Sequence, residues 1–347
     1  MDEPILFYNK FRAHRQFSEF FIDALRDAGK SVVVLDGYMS DSVDEASRYY
    51  IDNKFEIYNI LLKCKMYVTP ASNLKYECKP ARSKAVHIFH SLVSMHLIYG
   101  DDGFDNYEYF IGAGPHHLLE FNAIKEIRGL RAAFYKVGYP KVDELTTYAG
   151  SNLYSSDRKV ICIAPSWHKE NIINSDLEST IAGLIDNGYY VKLRPHPHSF
   201  LYQMGDIKYL SACFGKNDFT IEDSSIDFLA SLSESDLLIS DWSGVAYEFA
   251  FALTRPVLFI NSQQKISSKT LKDLGLPAME KECRERVGFV IDKNEICSAV
   301  SMVFNNYEAL KESIESARDS YLYNHLDAVE VGKAALINIS EDIYGAK

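Results

Sequence analysis

The chain has 347 residues and carries 37 lysines and arginines against 48 aspartates and glutamates, a formal net charge of −11 at pH 7. This length is typical of about two domains, and a hydrophobic share of 47% is enough to fill two cores. Because broad nucleic-acid binding needs a basic surface, the acidic balance indicates no nucleic-acid partner, although it is compatible with a local basic pocket for a small anion.

The first part of the chain alternates predicted strands and helices. The β-branched run "SVVVLDGY" (31–38) is typical of a parallel strand buried on both faces, and "RQFSEFFIDALRDAGK" (15–30) has the apolar spacing of a helix. A further helical stretch is predicted at 54–64. The polar stretch 141–159 shows no firm apolar period and predicts a linker with about one helical turn. The other predicted elements here are strands at 4–10, 65–69, 84–90, 106–114 and 132–140 and a helix at 117–129.

The alternation resumes beyond that stretch. Strands are predicted at 160–166, 189–197, 219–225, 236–241, 255–261 and 288–292, with helices at 176–188, 225–235, 244–253 and 293–322. This pattern predicts an α/β protein of two facing, Rossmann-like doubly wound domains, whose ligands bind at the carboxyl ends of the strands. The expected division is an N-terminal acceptor-side domain at 1–150, a C-terminal nucleotide-donor domain at 151–320, and a helical segment at 321–347 that could pack back on the first domain.

The strongest local signal is "LLISDWSGVAYEFAFA", in which an apolar strand ends at Ser240 and Asp241 and turns into a helix. A helix N-terminus offers amides and a positive dipole end to a phosphate. Ser240, Ser243 and the Gly244 backbone are therefore candidate donor-binding groups, with Asp241 orienting a neighbouring donor. Helix capping alone explains the same residue types. Glu248 could accept hydrogen bonds from ribose hydroxyls or could face solvent.

A second signal is "VKLRPHPHS", in which Pro195 and Pro197 flank His196 and hold it in extended backbone directly after a strand. Arg194 and His196 could offer hydrogen-bond donors to a diphosphate. The alternative is a surface turn after a strand, which is the interpretation we favour for His198.

Two more strand ends carry polar side chains. His90 ends the predicted strand "KAVHIFH", and a neutral imidazole is the natural base for removing a proton from an alcohol. His87 is interpreted as a core residue and His96 as structural. After the strand "VICIAP", Ser166 is a candidate phosphate contact, and Trp167 could stack on a base or pack on the domain.

Taken together in this order, six segments resemble the CDP-glycerol glycerophosphotransferase family of teichoic-acid-type polymerases and primases. They are "VHIFHSLVSMHLIYG", "YEYFIGAGPHHLLEF", "YKVGYPKVDEL", "IAPSWHKEN", "VKLRPHP" and "ISDWSGVAYEFAFALTRPVLFIN". The third matches a Gly-Tyr/Asn-Pro-Arg-x-Asp-Leu pattern. The resemblance implies a transferase of the GT-B fold, with His90 at the position of the family's proposed base and His196 matching a second essential histidine.

The chain also departs from the family pattern, and a pocket short of the usual cations could hold a different donor. The departures are Ser91 for a glycine, Met95 and His96 where lysines are usual, His168 for an arginine, Gly244 for a serine and Glu248 for an aspartate. They put the polyol phosphate in question more than the fold or the nucleotide.

We therefore predict a transferase that moves glycerol phosphate, or a related polyol phosphate, from a CDP-activated donor to a hydroxyl of a saccharide or polyol acceptor in a cell-surface polymer. His90 would deprotonate that hydroxyl, and the rings of His90 and His196 are expected to converge, from opposite domains, on a crevice floored by the turn at 243–244. The alternatives are a nucleotide-sugar glycosyltransferase on the same fold and a non-catalytic nucleotide-binding partner in a polymer-synthesis complex.

A cytoplasmic protein without cofactor or metal is expected. No stretch approaches the ~20 apolar residues of a bilayer span, and the N-terminus lacks the layout of a signal peptide. The six cysteines are scattered and indicate reduced thiols, and "DDG" (101–103) is interpreted as a turn. The acceptor could be lipid-linked, and Lys10, Arg12 and Arg15 could touch anionic headgroups at the membrane or form a solvated helix start.

Overall fold

The computed structural model describes residues 4–37, 62–74, 79–167, 171–173, 177–223, 226–264 and 266–345. Most of the helix predicted at 54–64 lies outside these ranges, as do Cys78 and His168. The cysteines inside them are free thiols. Within the same ranges, no helix is both long enough and apolar enough to cross a bilayer.

The chain folds into two compact units. The first unit is Met1–Pro140, Ser267–Leu276 and Leu322–Lys347, and the second unit is Lys141–Ile266 and Pro277–Tyr321. The first segment of the first unit ends at Pro140, whereas the sequence pattern placed the boundary near residue 150. This unit also takes in residues 267–276, which the sequence pattern had assigned to the second domain.

Each unit contains one parallel sheet. The strands are β1 (Ile5–Asn9), β2 (Val32–Asp36), β3 (Met66–Thr69), β4 (Lys84–Ile88), β5 (Tyr109–Gly112), β6 (Ala133–Lys136), β7 (Val160–Ile163), β8 (Tyr190–Leu193), β9 (Phe219–Ile221), β10 (Leu237–Ser240), β11 (Val257–Ile260) and β12 (Gly288–Ile291). The first sheet has the order β2-β1-β3-β4-β5-β6, and the second has the order β12-β11-β10-β7-β8-β9. The predicted class, α/β with two Rossmann-like domains, is confirmed.

Helices follow most strands, as parallel connections require. They are α1 (Arg12–Asp27), α2 (Met95–Ile98), α3 (Pro115–Arg128), α4 (Pro140–Ser151), α5 (Leu177–Asp186), α6 (Ser199–Tyr202), α7 (Met204–Cys213), α8 (Phe228–Ser233), α9 (Val245–Leu253), α10 (Met279–Glu282), α11 (Arg284–Val287), α12 (Ile296–Asn305), α13 (Tyr307–Tyr321) and α14 (Ala328–Gly345). Short 3-10 turns occupy Leu271–Leu274 and Lys293–Glu295.

Helix α4 corrects the prediction of a linker with about one helical turn at 141–159, because the residues up to Ser151 are helical and only 152–159 form an irregular connection. Val142 and Leu145, three residues apart, are fully buried. The Thr146 hydroxyl donates to the Ala252 carbonyl oxygen in α9, with an O–O distance of 3.1 Å. A helix needs only a narrow apolar stripe to pack, and the polar residues between these positions hid that stripe in the sequence.

Helix α14 packs on α1 in the first unit. Phe21 of α1 and Leu336 of α14 belong to one core cluster. Gly332 permits the close approach, because a Cβ at this position would overlap the Phe21 ring. Near the end of α14, the Tyr344 hydroxyl donates to the Pro4 carbonyl oxygen at 2.7 Å. Residues far apart in sequence therefore complete the same core.

Residues 267–276, which we call the strap, are tied to the first unit by hydrogen bonds. The backbone N–H groups of Ser267 and Ser268 donate to the Leu97 carbonyl oxygen at 2.8 and 3.1 Å. Asp101, in the predicted turn, accepts through Oδ1 from the Ser268 hydroxyl at 2.6 Å and from backbone N–H groups of the strap. These bonds, that of Ser268 foremost, hold the pKa of Asp101 well below its usual value.

Candidate active site

In the first unit, His90 lies two residues beyond the end of β4. Its Nδ1 is 2.9 Å from the Pro70 carbonyl oxygen. A carbonyl oxygen can only accept, so in the neutral ring Nδ1 carries the proton and Nε2 carries the lone pair. This is the tautomer that a general base acting through Nε2 requires.

Aromatic rings pack around His90. His14 of α1 stacks on it at a centroid distance of 5.4 Å, while Phe17 and Tyr99 meet it edge-on at 6.0 and 5.6 Å. Burial, with smaller contributions from His90 and Lys10, lowers the pKa of His14 to about 3. His14 is therefore neutral at physiological pH and adds no positive charge beside the His90 ring.

The two histidines nearest to His90 in the sequence, His87 and His96, are core side chains. His87 is fully buried among aromatic rings, including those of Phe89 and Phe104, and burial lowers its pKa well below the usual value. His96 is also buried, with its Nδ1 3.0 Å from Oε2 of Glu120. Both histidines thus belong to the framework around His90.

In the second unit, Asp241 organises the turn after β10. Its Oδ1 accepts from the backbone N–H groups of Ser166 and Trp242, each at 2.7 Å. Its Oδ2 accepts from the Ser166 hydroxyl at 3.0 Å. Asp241 and Ser166 are both buried, so the carboxylate fixes the orientation of Ser166 at the neighbouring strand end.

Arg284 contacts two residues of the same turn, Asp241 and Trp242. Its guanidinium lies 3.6 Å from the centroid of the Trp242 ring and donates to the Asp241 carbonyl oxygen at 2.8 Å. Burial lowers the pKa of this guanidinium. The sequence offered no local signal for Arg284, which lies in α11, far along the chain from the turn it supports.

The start of α9 follows this turn. Ser243 and Gly244 are partly exposed and precede the first helical residue, where amides of a helix have no intrahelical acceptor. Ser240 differs from them: it is fully buried, and its hydroxyl donates to the Ala164 carbonyl oxygen at 2.6 Å. Ser240 therefore ties the end of β10 to the end of β7.

His196 follows β8 and accepts a hydrogen bond at Nδ1 from the backbone N–H of His198, at 3.2 Å. Its neutral ring therefore carries the proton on Nε2. The His196 and His198 rings are 5.1 Å apart, and His198 meets Trp167 edge-on at the same distance. Trp167 is 38% exposed, so an accessible aromatic surface lies next to His198, the neighbour of His196.

Two predicted residues have charged partners within the second unit. Arg194 donates through one guanidinium nitrogen to Glu222 at 3.0 Å. Glu248 is buried, with Oε2 2.9 Å from Nζ of Lys141. The Phe228 ring joins the two pairs, because Lys141 lies 3.9 Å and Arg194 5.4 Å from its centroid.

The candidate donor-side residues follow three strands that are neighbours in the second sheet, β7, β8 and β10. Ser166 and Trp167 follow β7, Arg194 and His196 follow β8, and the turn that begins at Asp241 follows β10. The carboxyl ends of adjacent parallel strands meet at one edge, where ligands of such sheets bind. Residues 18–325 match the family model of the CDP-glycerol:poly(glycerophosphate) glycerophosphotransferases. The chain belongs to this family.

Solved structures of similar fold include two of the wall teichoic acid polymerase TagF. One has a TM-score of 0.65 at 15% identity and covers 98% of this chain and 90% of its own. The other, a variant soaked with CDPG, has a TM-score of 0.63 at 17% identity and covers 99% and 89%. MnaA of S. aureus with UDP has a TM-score of 0.65 at 14% identity and covers 99% and 97%. At these identities the likeness is one of fold. No curated protein matches the chain.

Membership of the glycerophosphotransferase family confirms both the resemblance and the predicted enzyme class, a transferase that uses CDP-glycerol and acts on a polymer. It also draws attention to Lys141, which sequence reasoning missed. Lys141 occupies the arginine position of the Gly-Tyr/Asn-Pro-Arg-x-Asp-Leu pattern, and in the structure it is the ion-pair partner of Glu248. The match of "GYPKVDEL" to this pattern was the sequence signal that could have identified Lys141.

Proposed function

We propose that this glycerophosphotransferase uses His90 as the general base and His196 as a hydrogen-bond donor to the transferred phosphoryl group. The observation that carries the proposal is the contrast between the two rings. The Pro70 carbonyl oxygen selects the His90 tautomer with a lone pair on Nε2, whereas the His198 N–H selects the His196 tautomer with a proton on Nε2. The first ring is prepared to accept a proton, and the second to donate a hydrogen bond.

The proposed reaction forms one phosphorus–oxygen bond and breaks another. The acceptor hydroxyl oxygen attacks the phosphorus that bears glycerol, its proton passes to Nε2 of His90, and the phosphorus–oxygen bond to CMP breaks. Glycerol phosphate becomes attached to the acceptor, and CMP leaves with the electron pair of the broken bond. Charge spreads over phosphoryl oxygens during this step, so donors aimed at those oxygens supply much of the rate.

On the donor side, the diphosphate would be held by the start of α9 at Ser243 and Gly244 and by Ser166, which Asp241 orients. Trp167 would stack on the cytosine ring. The Ser240 hydroxyl makes no donor contact, because it donates to the Ala164 carbonyl oxygen and ties two strand ends together.

Arg194 and Glu248 keep their proposed roles while remaining paired. A guanidinium has five N–H groups, so Arg194 can donate to Glu222 and to the diphosphate together. Glu248 can face Lys141 through Oε2 and accept from a ribose hydroxyl through Oε1.

Replacing each histidine by glutamine tests these roles. Glutamine retains an N–H donor at the end of a side chain of similar reach but cannot act as a base near neutral pH. We expect His90→Gln to lower kcat at least ~100-fold, with KM for CDP-glycerol little changed. His196→Gln should retain much more of kcat/KM than His196→Ala does.

The measurement is CMP release from CDP-glycerol with saturating acceptor. A His90→Gln enzyme with turnover near that of the parent would eliminate His90 as the base. Equal losses for His196→Gln and His196→Ala would show that the Nε2–H group is not used.

We further propose that the acceptor is lipid-linked and that membrane contact comes through it. Arg15 of the N-terminal basic stretch is paired with Asp36 at 3.2 Å and with Glu19 at 3.3 Å, which favours the solvated helix start over a headgroup contact. In a sedimentation assay, the protein should pellet with anionic vesicles only when the vesicles contain lipid-linked acceptor. Binding to vesicles without acceptor, abolished by Arg15→Ala, would contradict this.

A further inference from the structure

The residues directly after His90 form an irregular segment that helix α3 holds in place. We call residues 91–94 the base loop. The Leu92 carbonyl oxygen lies 2.8 Å from Nε2 of His116, and the Val93 carbonyl oxygen lies 3.3 Å from Nε2 of His117. Carbonyl oxygens only accept, so both rings carry a proton on Nε2 and donate it to consecutive carbonyl groups of the base loop.

His117 is itself held on its other side. Its Nδ1 accepts from the backbone N–H of Ala113 at 3.4 Å, which is consistent with the same tautomer. Its ring stacks on Phe89 with centroids 4.1 Å apart and planes 25° apart. His117 is fully buried, and burial lowers its pKa well below the usual value, so it stays neutral. Through Phe89 and Val93, His117 contacts the chain on both sides of His90.

One turn further along α3, Glu120 holds the start of α2, just beyond the base loop. Its Oε2 accepts from the backbone N–H of His96 at 3.0 Å and lies the same distance from Nδ1 of His96. Both side chains are buried. Three residues of α3, at positions 116, 117 and 120, thus contact the chain from residue 92 to residue 96 and determine where the base loop runs.

Backbone carbonyl groups in the interior need partners, and those of Leu92 and Val93 lie outside any strand or helix that could supply them. Two side chains of α3, His116 and His117, donate the hydrogen bonds that these carbonyl groups need. Removing one leaves a buried carbonyl unsatisfied, which favours a shift of the loop. Catalysis is sensitive to such shifts, since misplacing a reacting group by about 1 Å can cost ~100-fold in rate.

We propose that His116 and His117 are positioning residues, which hold His90 in register for proton transfer by donating hydrogen bonds to the base loop. The inference rests on the proposed role of His90 as the base. It gives a function to the "HH" of "GAGPHHLLEF", which neither the sequence motifs nor the donor-side geometry explained.

Steady-state kinetics of CMP release test this. His116→Ala and His117→Ala should each lower kcat roughly 10- to 100-fold while KM for CDP-glycerol stays within about twofold, because neither histidine belongs to the donor-binding groups of the second unit. Glutamine can donate from a similar reach, so His116→Gln and His117→Gln should recover most of kcat. Alanine variants with full kcat, or glutamine variants no better than alanine, would overturn the proposal.

A control separates positioning from general destabilisation. Leu336 is fully buried in the α1–α14 core cluster, which contains none of residues 91–94, so Leu336→Ala should lower the melting temperature at least as much and leave kcat unchanged. A loss of kcat in Leu336→Ala equal to that in His117→Ala would count against positioning. His90→Gln tests the proposed function separately: full turnover in that variant would refute the base, whatever the α3 variants do.

Discussion

At the scale of single residues, the carboxylate of Asp241 illustrates how the second unit prepares a donor site. It receives three hydrogen bonds, two from backbone N–H groups and one from the Ser166 hydroxyl. Asp236, at the other end of β10, is a natural comparison, because it also accepts a backbone N–H, that of Val160, at 2.9 Å. Asp241 lies at the carboxyl end of β10, where ligands are expected, and Asp236 lies at its amino end.

Asp241→Asn is therefore expected to lower kcat/KM for CDP-glycerol roughly 10- to 100-fold, corresponding to about 1.5–3 kcal/mol for hydrogen bonds to a charged group. The amide's NH2 group cannot accept from the Ser166 hydroxyl. Asp236→Asn, measured in the same CMP-release assay, should stay within about twofold of the parent. Equal losses in the two variants would mean that Asp241 only stabilises the fold.

The sequence identified most strand-end residues but not what their side chains do there. His90 and His196 were both predicted as site residues, yet their opposite tautomers depend on Pro70 and on the backbone at His198, and such contacts are set by local geometry. Ser240 was grouped with Ser243 because the two are close in sequence, but the Ser240 hydroxyl turns to the Ala164 carbonyl oxygen. The strand pleat and the neighbouring strand determine that direction.

At the scale of helices, the structure distinguishes two glycines that look alike in sequence. Gly332 in α14 faces the Phe21 ring, whereas a Cβ on Gly150 in α4 would meet open space. We expect Gly332→Ala to lower the free energy of unfolding by about 1–3 kcal/mol through overpacking. Gly150→Ala should raise it by roughly 0.5–1 kcal/mol, because alanine is the better helix former. Urea denaturation measures both, and a change of the same sign in the two variants would contradict this packing argument.

The missed elements share a physical cause. Helix α4 has a narrow buried stripe at Val142 and Leu145, and its polar surface resembles a linker in sequence. The strap belongs to the first unit through hydrogen bonds to Leu97 and Asp101 and through the burial of Leu271 in that unit's core, and these contacts join residues that are distant in sequence. Patterns within a short window report strands and long amphipathic helices well, but they carry little information about such long-range hydrogen bonds.

At the scale of the whole molecule, the chain passes between the two units at four points, after Pro140, Ile266, Leu276 and Tyr321. Neither unit is a continuous stretch of sequence. The predicted boundaries near residues 150 and 320 leave out the return of residues 267–276 to the first unit, although the alternation of strands and helices correctly predicted both sheets.

Stability should depend on pH through the buried histidines of the first unit. Burial lowers the pKa values of His14, His87 and His117 below 6.5, so below that pH the unfolded chain binds protons that the folded chain does not. Stability is therefore full above pH 6.5 and falls as the pH drops. Between pH 7 and pH 5 each such histidine should cost about 2 kcal/mol.

His14→Gln checks the sign and the size of this effect. The loss of unfolding free energy between pH 7 and pH 5, measured in urea, should shrink by about 2 kcal/mol in the variant. An unchanged pH dependence would show that His14 takes up its proton equally in the folded and unfolded chains.

The packing of α14 on α1 also affects how the protein folds during its synthesis. The ribosome makes every residue of the second unit before it makes Gly332 and Tyr344, the residues that meet Phe21 and Pro4. The part of the apolar face of α1 that α14 covers therefore stays uncovered while the second unit is synthesised. A nascent chain stalled before residue 322 should expose that face to chaperones, and release of the closing helix should end the exposure.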